Sequence, residues 1–276
     1  MTRIAYLGPA GTFTEEAARR FDLPAPEYMP VDAPAAALAA VRAREADFAV
    51  VAVENSVDGA VSATSDALVD APGVQIFAET ELAIVFAVMT RPGFSLLDAT
   101  RFTTHPIAYQ QVKRWVSEHV PQVEFIAASS NAAAARMVAD GEADVAAAPE
   151  RAAELFGLEI HARGVADVAT ARTRFALVGP EGALPAPTGA DRTSLVFQTP
   201  NQPGTLVAVL QEFASRGVDM SRIESRPTRA VPNTYNFFVD LVGHRDDAAI
   251  AEAIAAVEQR ATWVRFLGSW PRSHQN

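Results

Sequence analysis

The stretch Arg44-Glu45-Ala46-Asp47-Phe48-Ala49-Val50-Val51-Ala52-Val53-Glu54 decides the expected fold, because a weaker copy of it returns as Gly141-Glu142-Ala143-Asp144-Val145-Ala146-Ala147-Ala148-Pro149-Glu150. Each copy follows a predicted helix, turns, and continues into an apolar strand that ends at a carboxylate. Taken as a true repeat, the pair predicts two similar lobes with a cleft between them. Chance similarity in an alanine-rich chain is the competing explanation.

The segments around the two copies alternate between strand and helix patterns. The predicted strands are Arg3–Leu7, Phe48–Val53, Ala83–Met89, Arg101–Thr103 and Val123–Ile126. The predicted helices are Phe13–Phe21, Ala33–Arg44, Ile107–His119 and Ala132–Ala139. Such alternation favours α/β sheets with parallel strands. Ligands collect at the carboxyl ends of such strands, so the loops after Leu7, Val53 and Ala148 are candidate sites.

A proline- and glycine-rich stretch without apolar periodicity divides the chain. We therefore expect a two-lobed domain over residues 1–179, a linker over 180–191 and a second domain with a C-terminal tail over 192–276. The second domain shows the order strand, helix, strand, strand, helix, strand. This βαββαβ order predicts a ferredoxin-like fold.

Composition narrows the possible functions. The 276 residues are 49% hydrophobic, carry a formal net charge of −10 and include no cysteine, which excludes thiol nucleophiles, disulfides and cysteine-bound zinc. The acidic charge argues against nucleic acid as a partner, and no apolar run is long enough to span a membrane. The five histidines are scattered, with no HExxH-type spacing, so a metal site is not expected. The N-terminus lacks a signal-peptide pattern, and a cytoplasmic location is expected.

Two loops that follow strands carry groups suited to ligand binding. In Gly8-Pro9-Ala10-Gly11-Thr12-Phe13-Thr14-Glu15, Thr12 and Glu15 have capping-box spacing, and the helix start can hold a carboxylate. An ordinary strand–helix turn explains the same residues. In Glu54-Asn55-Ser56-Val57-Asp58-Gly59, Asn55 and Ser56 supply neutral donors, either to a ligand or within a turn.

Two helix starts and one strand add further candidates. His105 precedes Pro106 and acts either as a general acid or base or as an N-terminal turn residue. Gln111, one turn into that helix, reaches a ligand or faces solvent. Ser130 and Asn131 offer another helix start, for which structural capping is the simpler explanation.

Arg172-Thr173-Arg174-Phe175 opens an apolar strand and combines charge with a hydroxyl, which indicates little alone. The chain has no Ser–His–Asp order, Walker loop or GxGxxG, which disfavours acyl-transfer, phosphate-loop and dinucleotide chemistry. The residues alone indicate a two-lobed binder of a small anion and leave catalysis open.

Together these segments resemble the prephenate dehydratase family over nearly the whole chain. Five motifs occur in the family's order, namely Gly8–Phe13 for GPxGTF/Y, Glu54-Asn55-Ser56 for ENS/T, His105-Pro106 with Gln111 for HPxxxxQ, Ser130–Ala134 for the ST-x-AA helix start, and Thr173-Arg174-Phe175 for TRF. The resemblance implies a catalytic domain of the type-II periplasmic-binding-protein kind, in keeping with the two expected lobes.

The resemblance also implies a reaction and its residues. A carbon–oxygen lyase of this family converts prephenate to phenylpyruvate, water and carbon dioxide without a cofactor. The implied catalytic residues are Thr173, Asn55, Gln111 and Glu54. The implied substrate-binding residues are Thr12, Ser56, His105, Ser130, Asn131, Arg174 and Phe175. Our hypothesis is that Thr173 hydrogen-bonds the departing hydroxyl. Glu54 either donates the proton or has a structural role.

The C-terminal region resembles an ACT domain, the phenylalanine-sensing module of these enzymes. Gly204-Thr205-Leu206-Val207 corresponds to the family's GALV segment and Glu224-Ser225-Arg226-Pro227 to its ESRP segment. The resemblance implies that L-phenylalanine binds at Asn201, Gly204, Thr205, Leu206, Val207, Glu224, Ser225, Arg226 and Pro227. Because such a ligand lies between two ACT domains, a homo-oligomer, either dimer or tetramer, is implied.

Three departures and three alternatives accompany this interpretation. Thr170, Ile107 and Asn131 stand where the family commonly has asparagine, glutamine and threonine. Arogenate dehydratase uses the same chemistry on the aminated substrate, and these motifs do not separate the two. A non-catalytic amino-acid-binding protein would bind ligand without releasing carbon dioxide. A dehydrogenase with an ACT domain is disfavoured, because no dinucleotide fingerprint is present.

Overall fold

The computed structural model describes residues 1–273 of the chain, so the last three residues of the expected tail lie outside it. It contains two α/β lobes and a C-terminal α/β domain. The first lobe comprises β1 (Thr2–Leu7), α1 (Phe13–Arg20), β2 (Pro26–Val31), α2 (Pro34–Arg42), β3 (Phe48–Asn55), β4 (Gly59–Ala60), α3 (Ser62–Asp70), β5 (Val74–Ala83) and the later β11 (Arg172–Pro180). The second lobe comprises β6 (Ala87–Thr90), β7 (Arg101–Thr104), α4 (Pro106–His119), β8 (Glu124–Ala127), α5 (Asn131–Ala139), β9 (Val145–Ala148), α6 (Glu150–Phe156) and β10 (Glu159–Arg163).

Each lobe is built on a mixed sheet, which corrects the expectation of parallel strands throughout. In the first lobe the order is β5-β11-β3-β1-β2, with β1 parallel to β2 and β3 but β11 antiparallel to both of its neighbours. In the second lobe the order is β10-β6-β9-β7-β8, and only β7 has parallel partners on both sides. The antiparallel strands β5, β6 and β11 carry the chain between the lobes.

The suspected repeat is a structural repeat. After α2 the Asp47 amide bonds the carbonyl of Arg3, and after α5 the Asp144 amide bonds the carbonyl of Arg101. The two carboxylates also form equivalent return hydrogen bonds. The Asp47 carboxylate accepts the Arg3 amide at 2.8 Å, and the Asp144 carboxylate accepts the Arg101 amide at 3.0 Å. Chance similarity does not reproduce such equivalent hydrogen bonds in both lobes. The helix–turn–strand unit was therefore interpreted correctly from the sequence.

The C-terminal domain has the expected βαββαβ order. Its elements are β12 (Asp191–Gln198), α7 (Thr205–Ala214), β13 (Met220–Pro227), β14 (Tyr235–Val242), α8 (Ala248–Arg260) and β15 (Trp263–Pro271). Its sheet joins that of the first lobe through a parallel bridge between Gly268 and Ile76. A Cβ at Gly268 would lie 2.3 Å from the Ile76 carbonyl oxygen, so this junction requires glycine. The two domains thus share one continuous sheet.

Several elements differ from the sequence prediction. The single strand expected at Ala83–Met89 is two strands, β5 and β6, which belong to different lobes. The sequence analysis did not identify β2, α3, α6 or β10. Of these, α3 matters most for function, because its start lies at the cavity described below.

The strand β11 faces the second lobe on one side of the sheet and the C-terminal domain on the other. Phe175 and Leu177 belong to the core that extends into the second lobe. Ala176 and Val178 belong to the core shared with the C-terminal domain. Because strand side chains alternate, Thr173 faces the same side as Phe175, and Arg174 faces the C-terminal domain.

Candidate active site

A cavity of about 470 Å³ lies between the lobes. Its apolar wall includes Phe13, Ile84, Phe86, Ile107 and Phe175. Its polar groups come from Thr14, Asn55, Asp58, Ser62, His105, Gln111, Asn131 and Thr173. No arginine or lysine lines the cavity within the described part of the chain. The site therefore offers an aromatic-sized apolar surface and hydrogen-bonding groups, of which only Asp58 is a carboxylate.

Thr173 and Asn55 form a hydrogen-bonded polar pair in the cavity. They are direct register partners on β11 and β3, and Asn55 Nδ2 donates to Thr173 Oγ1 at 2.9 Å. Asn55 Oδ1 accepts the amides of Val57 and Asp58, which fixes the orientation of the side-chain amide. Since Thr173 Oγ1 accepts from Asn55, its own proton is available to donate towards a bound molecule.

Gln111 lines the same cavity and carries an unpaired side-chain oxygen. Its Nε2 donates to Asp58 Oδ2 at 2.9 Å, whereas its Oε1 is buried without a hydrogen-bond partner within residues 1–273. Gln111 is only 6% exposed, so an unpaired oxygen there is costly unless a ligand donates to it. Asp58 also lines the cavity, three residues after Asn55, but the sequence analysis did not single it out.

His105 and Asn131 connect the starts of α4 and α5. His105 Nδ1 accepts the Ile107 amide at 3.3 Å and caps α4. Asn131 Oδ1 accepts the His105 amide at 3.2 Å and the Thr104 hydroxyl at 3.1 Å. Burial lowers the pKa of His105 below its usual value, so the ring is neutral at pH 7. Asn131, which stands where the family commonly has threonine, therefore links the start of α5 to the segment that leads into α4.

Thr12, Ser130 and Ser56 lie beside the cavity but do not line it. Thr12 Oγ1 accepts the Glu15 amide at 3.3 Å and Ser130 Oγ accepts the Ala133 amide at 3.0 Å, so both act as helix caps. Ser56 Oγ accepts the Arg172 amide at 2.9 Å and ties the end of β3 to β11. Thr170, the third departure, is also absent from the cavity wall.

Arg174 and Glu54 do not lie in the cavity, which corrects the roles expected for them. Arg174 is 6% exposed and bonds Asp240 at 2.6 Å, Glu54 at 3.0 Å and Glu79 at 3.2 Å. Burial disfavours its charge, but the three carboxylates outweigh that effect and raise the pKa of Arg174. The physical reason is strand alternation, which points Arg174 away from Thr173.

We call the charged group around Arg174 the interdomain cluster. It comprises Arg174, Arg192, Arg222, Glu54, Glu79, Glu224 and Asp240. Asp240 is fully enclosed; burial opposes its ionisation, yet Arg174, Arg222 and Arg192 keep its pKa below the usual value. The cluster joins β11, the strand that carries Thr173, to the C-terminal domain.

The residues expected to bind an effector fall into two groups. Asn201, Gly204, Thr205, Leu206 and Val207 line a cavity of about 160 Å³ with Tyr235 and Phe237. Glu224 and Arg226 instead face α3, where Ser65 Oγ donates to Glu224 at 3.1 Å and Arg226 forms two hydrogen bonds with Asp66. Ser225 and Pro227 are exposed on the other face of β13. The ESRP segment thus contacts the catalytic domain.

Two negative findings concern residues 1–273. Within them no group of three or more histidine, aspartate or glutamate side chains is arranged to hold a metal ion. No helix there combines the length and apolar character needed to cross a bilayer.

The fold and site define a class of protein, namely a two-lobed α/β domain with a largely apolar cavity between its lobes, joined to a ferredoxin-like domain. A family model described as prephenate dehydratase matches residues 4–183, and one described as ACT domain matches residues 193–259. The chain belongs to the prephenate dehydratase family and carries an ACT domain.

Individual relatives agree with that assignment. The prephenate dehydratase of Corynebacterium glutamicum is 54% identical, over 98% of this chain and 88% of that protein. The crystal structure of prephenate dehydratase from Arthrobacter aurescens in complex with L-Phe has a TM-score of 0.92 and 40% identity, over 99% of this chain and 90% of that one. The quorum-quenching acylase GqqA has a TM-score of 0.88 and 33% identity, over 98% of both chains.

Proposed function

We propose that this protein converts prephenate to phenylpyruvate, water and carbon dioxide. The single observation that carries the proposal is the Asn55–Thr173 pair, which aims a hydroxyl proton into an apolar, aromatic-sized cavity. As the ring carboxylate leaves as carbon dioxide, its bonding electrons aromatise the ring and expel the hydroxyl group. That group must take up a proton to depart as water.

Thr173 supports this departure as a hydrogen-bond donor. A threonine hydroxyl titrates far above neutrality, so it stabilises developing charge on the leaving oxygen and does not act as a free-standing acid. The unpaired Gln111 Oε1 is suited to accept the proton of the substrate hydroxyl before the bond breaks. Phe13, Phe86 and Phe175 provide an apolar surface for the ring.

A turnover assay tests this function directly. The purified chain is given prephenate or arogenate, and both carbon dioxide and aromatic product are measured. We expect a larger kcat/KM for prephenate. Preference for arogenate would identify the aminated substrate, and binding without carbon dioxide release would indicate a non-catalytic sensor.

The similarity to an acylase calls for one additional control. An acylase needs a nucleophile activated by a base. Thr173 Oγ1 accepts from Asn55, and His105 Nδ1 accepts a backbone amide, so the described cavity residues show no hydroxyl–base pair. We therefore expect no amide cleavage, and an N-acyl amide substrate in the same assay checks this.

For regulation, we propose that L-phenylalanine binds the cavity formed by Asn201–Val207 and shifts activity through the ACT domain. Supporting this proposal, Val207 is 58% exposed and Tyr235 41% exposed beside that cavity, and Ile223 is 49% exposed on edge strand β13. Such exposed apolar side chains suit pairing with a second copy, so we propose a homo-oligomer. The absence of cysteine is compatible with a reducing cytoplasm.

Titration with phenylalanine tests the regulatory proposal. We expect millimolar L-phenylalanine to change both turnover and the thermal unfolding midpoint, because an effector acts only by binding one conformation better than another. Size-exclusion chromatography with light scattering reports the oligomeric state in the same samples. Unchanged turnover, melting and mass would contradict the proposal.

A further inference from the structure

An ion pair that does not line the cavity joins the two lobes. Arg151 on α6 of the second lobe places Nη2 3.5 Å from Oε1 of Glu15, which lies on α1 of the first lobe. The backbone also packs closely here, because a Cβ at Gly11 would lie 3.5 Å from atoms of Ala132 on α5 and of Ala152 on α6. Close packing and a pair of opposite charges therefore meet at this contact between the lobes.

Glu15 connects this contact to the wall of the cavity. It is only 2% exposed, and its Oε2 accepts the Gly11 amide at 2.6 Å, which fixes the loop that leads into α1. Phe13 and Thr14, at the start of that helix, line the cavity. Burial opposes ionisation of Glu15, but the Gly11 amide and the two arginines beside it outweigh that effect and lower its pKa. Glu15 is thus a charged link between the cavity wall and the second lobe.

The pair between the lobes is only partly formed in the structure. Arg19, on the same helix as Glu15, approaches Oε1 to 2.7 Å, whereas Arg151 reaches it only at 3.5 Å. Arg151 Nε is buried and has no hydrogen-bond partner within residues 1–273. A buried unpaired donor is costly, and a guanidinium binds a carboxylate most strongly through two N–H groups. A small approach of the second lobe would let both donors of Arg151 bond Glu15.

We propose that Arg151 is a positioning residue that favours the closed cleft through its pair with Glu15. This inference rests on the proposed dehydratase function. Two-lobed domains close around ligands by hinge motion, and here closure converts one loose contact into two hydrogen bonds. Because those bonds stabilise the closed state relative to the open one, they raise the apparent affinity for any ligand that the closed state binds. Arg151 therefore acts on the substrate only through the wall that carries Phe13.

Kinetics with prephenate and calorimetry with phenylpyruvate test the effect on binding. In Arg151→Gln, Glu15 keeps Arg19, and we expect KM and the phenylpyruvate Kd to rise together by about three- to tenfold, with kcat within about twofold because saturating ligand still closes the cleft. Arg151→Lys keeps the charge without the two-donor fork and should give intermediate values. The matched control is Arg163→Gln, whose partner Glu150, 3.0 Å away, belongs to the same lobe, and it should change neither quantity.

A distance measurement separates closure of the lobes from a general loss of stability. The chain has no cysteine, so Asp22→Cys and Glu154→Cys, one exposed position in each lobe, can carry two nitroxide labels. Pulsed electron spin resonance then reports their separation with and without phenylpyruvate. We expect phenylpyruvate to shorten the separation in the labelled parent chain, and Arg151→Gln to need about three- to tenfold more phenylpyruvate for the same change.

The outcomes distinguish the positioning role from the alternatives. A lower unfolding midpoint in Arg151→Gln, with parental KM, phenylpyruvate affinity and label separation, would overturn the proposal and leave the pair with a stabilising role only. Equal effects of Arg151→Gln and Arg163→Gln would also overturn it, as would a label separation in the parent chain that does not respond to phenylpyruvate. If the parent chain closes on phenylpyruvate in an Arg151-dependent way but does not turn over prephenate, the dehydratase function fails and the closing pair stands.

Discussion

The cavity and the interdomain cluster lie on opposite faces of β11 and use charge in opposite ways. The cavity has to accept a dianion, yet it offers neutral donors and helix starts around one carboxylate, Asp58. The interdomain cluster contains three arginines, each paired with carboxylates. One residue step, from Thr173 to Arg174, separates the two environments.

This difference indicates that Arg174, which follows the proposed catalytic residue Thr173, has a structural role at the domain interface. Three buried or nearly buried cations would bind an anionic substrate tightly if they faced it, but here each is compensated by a protein carboxylate. The cavity wall, by contrast, has neither arginine nor lysine among its described residues. Arg174 consequently holds the strand that carries Thr173 against Asp240 of the ACT domain, 2.6 Å away.

The largest effect should come from breaking the interdomain cluster. Arg174→Met leaves Asp240 and Glu79 buried with one cation fewer, and we expect a loss of about 3–5 kcal/mol in the free energy of unfolding. Urea unfolding measures this loss. It also reports whether the two domains still unfold together.

A double variant separates charge imbalance from lost packing. In Arg174→Met with Asp240→Leu, one charge of each sign is removed, while Arg192 remains next to Glu79 at 3.0 Å and Arg222 next to Glu224. We expect most of the stability to return. If the double variant were as unstable as the single one, the cluster would not be governed by charge compensation.

The next effect should appear in turnover alone. Thr173→Val keeps the β-branched shape but removes the hydroxyl, and we expect kcat to fall by about 10²–10³ with an unchanged unfolding midpoint, because a transition-state donor is lost. Steady-state kinetics together with thermal unfolding checks both parts. Near-normal kcat would show that Thr173 is not the donor to the leaving hydroxyl.

The sequence predicted the fold where local signals were strong. The repeat predicted the two lobes because both copies keep the aspartate that bonds back to the neighbouring strand, Asp47 in one and Asp144 in the other. The helix α3 escaped detection because Ser62-Ala63-Thr64-Ser65-Asp66 lacks both an apolar repeat and a capping side chain. That helix is held by tertiary contacts, including the carbonyls of Leu68 and Val69 that accept from Arg265.

The sequence predicted which residues lie near the site better than it predicted which of their side chains face the cavity. Motif order located Thr173, Asn55 and Gln111, and all three line the cavity. Period-two alternation along β11 is sufficient to place Arg174 and Thr173 on opposite faces of the sheet. The carboxylates that pair with Arg174 come from distant strands, β3, β5 and β14, so no local pattern could reveal them.

A smaller effect should follow from removing the carboxylate of the cavity. Asp58→Asn keeps an acceptor for Gln111 Nε2, which lies 2.9 Å from Asp58 Oδ2, but removes the charge. Because Asp58 is exposed, we expect kcat/KM for prephenate relative to arogenate to rise only about 1.4- to fivefold, which corresponds to ~0.2–1 kcal/mol for such charges. Parallel assays with both substrates at low and high salt check this, since screening should reduce the difference. A ratio that does not change would mean that Asp58 lies far from the side chain of the substrate.

The smallest effect concerns the pH dependence of stability and involves His105, a cavity residue whose neutral form is favoured by burial. Burial lowers its pKa, so the folded chain gains no proton there until the pH falls below the ordinary value near 6.5. The stability linked to neutral His105 is present above that value and is lost as the pH falls through the folded pKa. Protonation also removes the Nδ1 acceptor that caps α4, a loss of about 1 kcal/mol. His105→Asn retains a capping oxygen that does not titrate, so its unfolding free energy, measured in urea from pH 7 to pH 5, should decline less steeply than that of the parent chain. Parallel pH profiles would assign the acid sensitivity to other groups and leave His105 as a cap only.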